Sequence, residues 1–301
     1  MFVLGFCHVS FPILAGKSGC GRYNEAVEKR RMCPNCRAFI TIRDRVCPYC
    51  GMQLGPRAID LRGSQLAASF LPRANLTSFI VLIINVSFYI LELVISYRFG
   101  HVPFGSLSPL AEDVLGVEFP AAIHHGEWWR LITAGFLHGG LMHIAMNSWS
   151  LFILVTEVEQ FYGTARLIVA YVLSTFLGFY FAYRIGTPAL GASAAAFGMF
   201  GIMLAMGLRE RANPLVQAIR AHYGQWLIIG LVLSLMPGVS LSAHLGGLLG
   251  GFIIGAIGGL PGVPNSPREN IWKVLAVVSI LIVVYAFFLD FTLFFRELSN
   301  T

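Results

Sequence analysis

From residue 76 onward the chain alternates long apolar runs with short polar interruptions. A helix needs about 20 predominantly apolar residues to cross a bilayer. Seven runs qualify or come close, at roughly 76–97, 142–158, 165–183, 193–208, 222–237, 240–259 and 271–294. Several are short and rich in Gly and Ala, the composition of helices packed tightly inside a bundle. The pattern therefore predicts an all-α polytopic membrane protein.

Before residue 76 the pattern is different. Met1 to Ala15 is apolar but lacks a basic n-region and a small-residue cleavage site, so it is a poor signal peptide. Residues 1–31 form an N-terminal extension of uncertain status, and Met32 offers a second candidate start directly before a cysteine. Residues 53–75, with Arg57, Arg62 and Arg73, read as a basic linker.

Composition sharpens the membrane reading. The 301 residues are 56% hydrophobic and 12% charged, with mean hydropathy +0.71, whereas soluble domains carry about 25% charged residues. That excludes an ordinary soluble protein, intrinsic disorder and a collagen-like repeat. The net charge is +6, yet no Lys/Arg stripe with interleaved aromatics occurs, so nucleic acid is not the expected partner. With the N-terminus in the cytoplasm, 17 basic residues fall on that side and four, Arg98, Arg130, Arg184 and Arg296, on the other. This bias predicts an N-in, C-out protein of a bacterial inner membrane.

Four of the six cysteines form two tight pairs, Cys33-x-x-Cys36 and Cys47-x-x-Cys50. Each pair sets two thiolates on one knuckle, and two knuckles supply a tetrahedral sulfur shell. Residues 32–52 thus read as a small four-cysteine zinc-ribbon module, zinc being favoured over iron. A redox site would need only one pair. Cys7 and Cys20 fit neither knuckle.

Polar groups inside the spans are costly and mark function. Three constellations qualify. His143 and Asn147, four residues apart after His138, share one helical face. Ser193 opens the fourth span in Gly191-Ala-Ser-Ala194, where unpaired backbone N–H groups and the helix dipole favour negative charge. His244 in the sixth span is followed by Gly246 and Gly250, a flat strip onto which Ala194, Gly198 and Gly201 are expected to fit. Together these supply a nucleophile, a base and oxyanion donors for acyl transfer. Neither span offers an Asp or Glu to orient the imidazole, so the pair is a dyad. The 98–141 connection, with His124, His125, Trp128, Trp129, Arg130 and His138, is long enough to be functional or partly embedded, and Trp beside Arg suggests an interface anchor.

Trp129-Arg130, the run from His138 to Asn147, Gly191-x-Ser193 and Ala243-His244-x-Gly246-Gly247-x-x-x-Gly251 together resemble the rhomboid intramembrane serine proteases. The resemblance covers roughly 76–260 and implies a six-helix core, with 261–301 resembling the extra C-terminal helix of the "6+1" members. It implies Ser193 as nucleophile and His244 as general base, with His143, Asn147 and the Ser193 N–H binding the oxyanion. Phe197 would pack on the imidazole, Trp129 and Arg130 would belong to a loop half in the membrane, and His138, Glu159 and Gly163 would be structural. Its substrates would be membrane proteins carrying a transmembrane helix, and no cofactor would enter catalysis. Ala194 departs from the family's usual G-x-S-G. The alternative is an inactive rhomboid-like protein that binds transmembrane helices; a metal or haem protein using His138, His143 and His244 leaves Ser193 and Asn147 without a role.

Overall fold

A computed structural model describes residues 30–33, 35–41, 44, 46–53, 76–209 and 212–299. Most of the N-terminal extension, nearly all of the basic linker, Cys7 and Cys20 lie outside the described residues. The chain divides into two units, residues 1–65 and 66–301.

In the first unit, β1 (Arg30–Met32) pairs antiparallel with β2 (Phe39–Thr41), Met32 opposite Phe39. An isolated bridge, Val46 with Gln53, closes a second hairpin. Its apolar core is Cys33, Ile40 and Cys47, with Cys50 against them. A core that small does not stabilise a fold unaided.

The second unit is helical. α1 (Leu76–Arg98) leads into a connection holding α2 (Pro109–Val114), α3 (Pro120–His124), α4 (Arg130–Thr133) and a 3-10 turn, Ala134–Phe136. Then follow α5 (Leu141–Ile185), α6 (Ser193–Arg209), α7 (Pro214–Leu233), α8 (Leu241–Gly258) and α9 (Pro267–Ser299). α1, α5, α8 and α9 are long and apolar enough to cross a membrane, and α6 is apolar but shorter. With the family match below, these make the chain an integral membrane protein.

Two apolar runs merge in α5 because the helical hydrogen bonding passes over a break at Gly163, where φ is 75° and ψ 160°. Only glycine adopts that backbone without strain. Glu159 spans the break, its Oε1 accepting from Thr164 Oγ1 at 2.6 Å and from Thr77 Oγ1 on α1 at 2.5 Å. α7 begins eight residues before the run at 222, because hydropathy marks the apolar stretch whereas the helix starts where Pro214 presets φ.

The main core gathers α5 and α6 with Trp272, Ala276 and Ala286 of α9. α8 is packed into it on two adjacent faces. A Cβ on Gly247 or Gly251 would press into the carbonyls of Ala194 and Gly198 on α6. A Cβ on Gly246 or Gly250 would meet Gly178 Cα at 2.9 Å and Ser174 Cα at 2.8 Å in the second half of α5. The expected pairing of Gly246 and Gly250 with the fourth span is therefore corrected. Successive helical residues point about 100° apart, so Gly246/Gly250 and Gly247/Gly251 serve different neighbours.

Arg166, one of the 17 basic residues assigned to the cytoplasmic side, is buried. It makes a bidentate pair with Glu269 at 2.7 and 2.8 Å and lies 5.1 Å from the Trp272 ring, joining α5 to α9.

Gly251→Ala is expected to destabilise the purified protein by about 1–3 kcal/mol through overpacking, seen as a lower unfolding midpoint in detergent. Gly224→Ala is the comparison: a Cβ there meets nothing within 4 Å, and helix propensity gives it up to about 1 kcal/mol of added stability.

Candidate active site

Ser193 is the first residue of α6 and His244 lies in the first turn of α8. The Ser240 hydroxyl caps α8 by accepting the Ala243 N–H at 3.3 Å. The glycine contacts draw these two helices together, and His244 Nε2 stands 2.8 Å from Ser193 Oγ. Phe197, one turn after Ser193, stacks on the imidazole with centroids 4.1 Å apart and planes 10° apart. Residues i and i+4 of α6 thus hold the ring from the side of its Nε2 and from its face.

The segment before Ser193 is fixed from the connection. Gly191 N–H donates to Ala134 O at 2.9 Å and Ala189 N–H to Glu118 O at 3.2 Å. Glu118 is fully buried, and burial pushes its carboxyl up to about 8 against the pull of the Ala189 N–H.

His143 and Asn147 face Gly191 from the first two turns of α5. Gly191 has φ 119°, and a Cβ there would lie 2.6 Å from His143 Nε2 and 3.4 Å from Asn147 Nδ2. Here glycine is required by both backbone and space. The Gly139 N–H donates to His143 Nδ1 at 3.3 Å, so the neutral ring carries its proton on Nε2, toward Gly191. Asn147 is buried and its Nδ2 has no hydrogen-bond partner among the described residues. Two side-chain donors therefore converge beside Gly191, two residues before the serine, and Asn147 Nδ2 is unspent. His138 is fully buried beside His143, its backbone N–H donating to the Glu92 carboxylate of α1 at 3.1 and 3.3 Å.

In the N-terminal unit, the Sγ atoms of Cys33, Cys36, Cys47 and Cys50 all lie within 4.8 Å of one another. The closest approaches, 3.7 Å for Cys33–Cys50 and 3.6 Å for Cys36–Cys47, exclude a disulfide. They fit the edge of a tetrahedron around zinc, about 3.8 Å for metal–sulfur bonds of about 2.3 Å. The knuckles repeat one geometry: Arg37 N–H donates to Cys33 O and Gly51 N–H to Cys47 O, both at 2.9 Å, with Arg37 and Gly51 at φ 59° and 69°. The backbone N–H groups of Cys36 and Met52 pull the Cys33 and Cys50 thiols down, Cys50 to about 6, while burial and the neighbouring thiols push Cys36 up to about 12. Among the described residues this is the one grouping of three or more His, Cys, Asp or Glu side chains with converging ligand atoms.

The rhomboid domain family matches residues 125–260, and a zinc-ribbon domain family matches residues 31–54. The rhomboid protein YdcA of Bacillus subtilis (strain 168) is 31% identical over 198 residues, covering 62% of this chain and 94% of YdcA. Rhomboid protease GluP of the same organism is 33% identical over 159 residues, 52% of this chain and 31% of GluP. RHOMBOID-like protein 6, mitochondrial, of Arabidopsis thaliana is 33% identical over 159 residues, 52% of this chain and 52% of that protein. The chain belongs to the rhomboid family. It spans nearly all of YdcA but only about a third of GluP.

Within the rhomboid domain, Arg130 is not an exposed interface anchor. It is buried, donating from Nε to Glu127 at 2.6 Å and from Nη1 to Val117 O at 3.1 Å, with Asp113 3.1 Å away. Local carboxylates pull it inward, and Trp129 packs against the main core while Trp128 stays exposed. Ala194 has ordinary helical backbone, and its methyl fills the space beside Gly178, where a Cβ would come within 2.6 Å of it. The side chain after the serine thus faces away from strain. One contact had no sequence signal beyond a lone hydroxyl near the end of an apolar run: Ser234 Oγ lies 2.6 Å from His244 Nδ1.

Proposed function

We propose that this rhomboid-family protein is an intramembrane serine endopeptidase that hydrolyses peptide bonds in or beside the transmembrane helices of other membrane proteins. The observation that carries the reading is the 2.8 Å contact between Ser193 Oγ and His244 Nε2. Relatives named as rhomboid proteases support it.

His244 Nε2 takes the hydroxyl proton as Ser193 Oγ attacks the substrate carbonyl carbon. The tetrahedral oxyanion is held by His143 Nε2–H, Asn147 Nδ2–H and the Ser193 N–H. The C–N bond breaks as the imidazolium returns its proton to the leaving amine, and water then releases the acyl group through the same base. No metal takes part in these steps.

α6 has 17 residues, about 26 Å at 1.5 Å each, against a hydrocarbon core of about 30 Å. Ser193 then sits below the membrane surface, reached by water from the side opposite the N-terminus. A helical substrate hides its carbonyls in its own hydrogen bonds, so cleavable segments carry Gly, Pro or other helix-weakening residues near the cut, with a small side chain before the scissile bond. The N-terminal unit is proposed to hold one structural zinc on Cys33, Cys36, Cys47 and Cys50, on the cytoplasmic side.

On a membrane-anchored reporter with a helix-weakened transmembrane segment, Ser193→Ala is expected to lower cleavage by at least about 10³-fold. Cleavage that survives this change sinks the mechanism. Asn147→Ala is expected to cut kcat by about 10²-fold through loss of one oxyanion donor, with KM little altered; an unchanged kcat would remove Asn147 from the site.

Elemental analysis of the purified protein should find about one zinc per chain, falling sharply in Cys47→Ser. Cleavage should persist when a chelator strips that zinc. Loss of cleavage on chelation alone would place a metal in the reaction path.

A further inference from the structure

The Ser193–His244 pair has no acidic partner on its own helices, yet the far nitrogen of the imidazole is not free. Ser234, buried just past the end of α7, places its Oγ 2.6 Å from His244 Nδ1. The same hydroxyl donates its single proton to the Gly230 carbonyl at 2.7 Å. With that proton spent, only an Oγ lone pair faces the ring, and Nδ1 must be the donor.

The consequence reaches the other nitrogen. A neutral imidazole protonated on Nδ1 has a bare lone pair on Nε2, the form that accepts the Ser193 proton. Free neutral histidine favours the opposite form, with the proton on Nε2, which could not act as base toward Ser193. We propose that Ser234 is a positioning residue that selects the reactive tautomer and ring orientation of His244. This rests on Ser193 and His244 being nucleophile and base.

Physical chemistry favours a hydroxyl here over a carboxylate. The site lies within the helical bundle, where a charged Asp or Glu carries a desolvation cost that a neutral hydroxyl avoids. Ser234 is held by its own helix, since its backbone N–H also bonds Gly230 O at 2.9 Å. Phe197 covers one face of the imidazole and is itself backed by α7, a Cβ on Gly230 lying 3.0 Å from Phe197 Cζ. The imidazole is thereby fixed by three helices: α8 carries it, α6 presents Ser193 and Phe197, and α7 reads its Nδ1.

The test compares Ser234→Ala, Ser234→Val and Ser234→Thr with Ser193→Ala in the full chain. On the reporter, kcat in the Ala and Val variants should fall about 10- to 100-fold, the scale of losing a partner that orients an imidazole. KM should hold, and Thr, which keeps the hydroxyl, should restore the rate where its isostere Val does not. Ala and Val variants cleaving at the parent kcat overturn the proposal. Nitrogen-15 spectra of His244 give a reading independent of turnover. In the Ser193→Ala background Nδ1 should be protonated, and that preference should vanish when Ser234→Ala is added. A ring protonated on Nε2 while Ser234 is present overturns the proposal even if all Ser234 variants are slow. Cleavage surviving Ser193→Ala defeats the serine-peptidase reading instead, and the spectra still decide the Ser234 contact.

Discussion

The structure depends on how closely one glycine-lined helix approaches its neighbours. In lipid there is no hydrophobic force to press helices together, because acyl chains are as apolar as the side chains they would replace. What remains is van der Waals contact and hydrogen bonding, and both need short distances. Gly247 and Gly251 let α8 rest on the backbone of α6, while Gly246 and Gly250 let it rest on α5. That three-helix contact sets His244 opposite Ser193 with the geometry of a hydrogen bond rather than a near miss.

Several buried charges and backbone groups in this unit are paired. Arg166 is matched by both oxygens of Glu269, Arg130 by Glu127 and a backbone carbonyl, and the His138 N–H by Glu92. The bonds of Arg130 and His138 hold the connection between α1 and α5, which in turn pins Gly191 through Ala134. Asn147 Nδ2 is one of several buried side-chain donors without a partner among the described residues, and it is the one that faces Gly191. A buried N–H with nothing to bond is a cost in the resting protein, and it becomes a gain only when an anion arrives beside it.

Much of this was legible in the sequence because membrane proteins write their constraints locally. Apolar length located the helices, and the rarity of polar residues in spans drew attention to Ser193, His244, His143 and Asn147. The four cysteines were visible from spacing alone. What failed to show was anything set by packing angle. Gly246 and Gly250 were assigned to the wrong neighbour because a repeat of four marks a face without saying which helix it meets. Arg166 entered only as a charge on the cytoplasmic side, because Glu269, its partner, is 103 residues away. Arg130 looked like an interface anchor because its three local acceptors converge only once the connection is folded. Ser234 was silent for the same reason: α7 and α8 are separate apolar runs, and only their packing brings a common hydroxyl to one ring nitrogen.

The proposed chemistry needs a serine hydroxyl made nucleophilic by an imidazole inside the helical bundle. The most direct measurement treats the detergent-solubilised protein with a serine-directed fluorophosphonate and locates the adduct by peptide mass spectrometry. A single adduct on Ser193 that disappears in His244→Ala is the expected result. A protein that takes no label, or carries it on another serine, or is labelled equally well without His244, would contradict it.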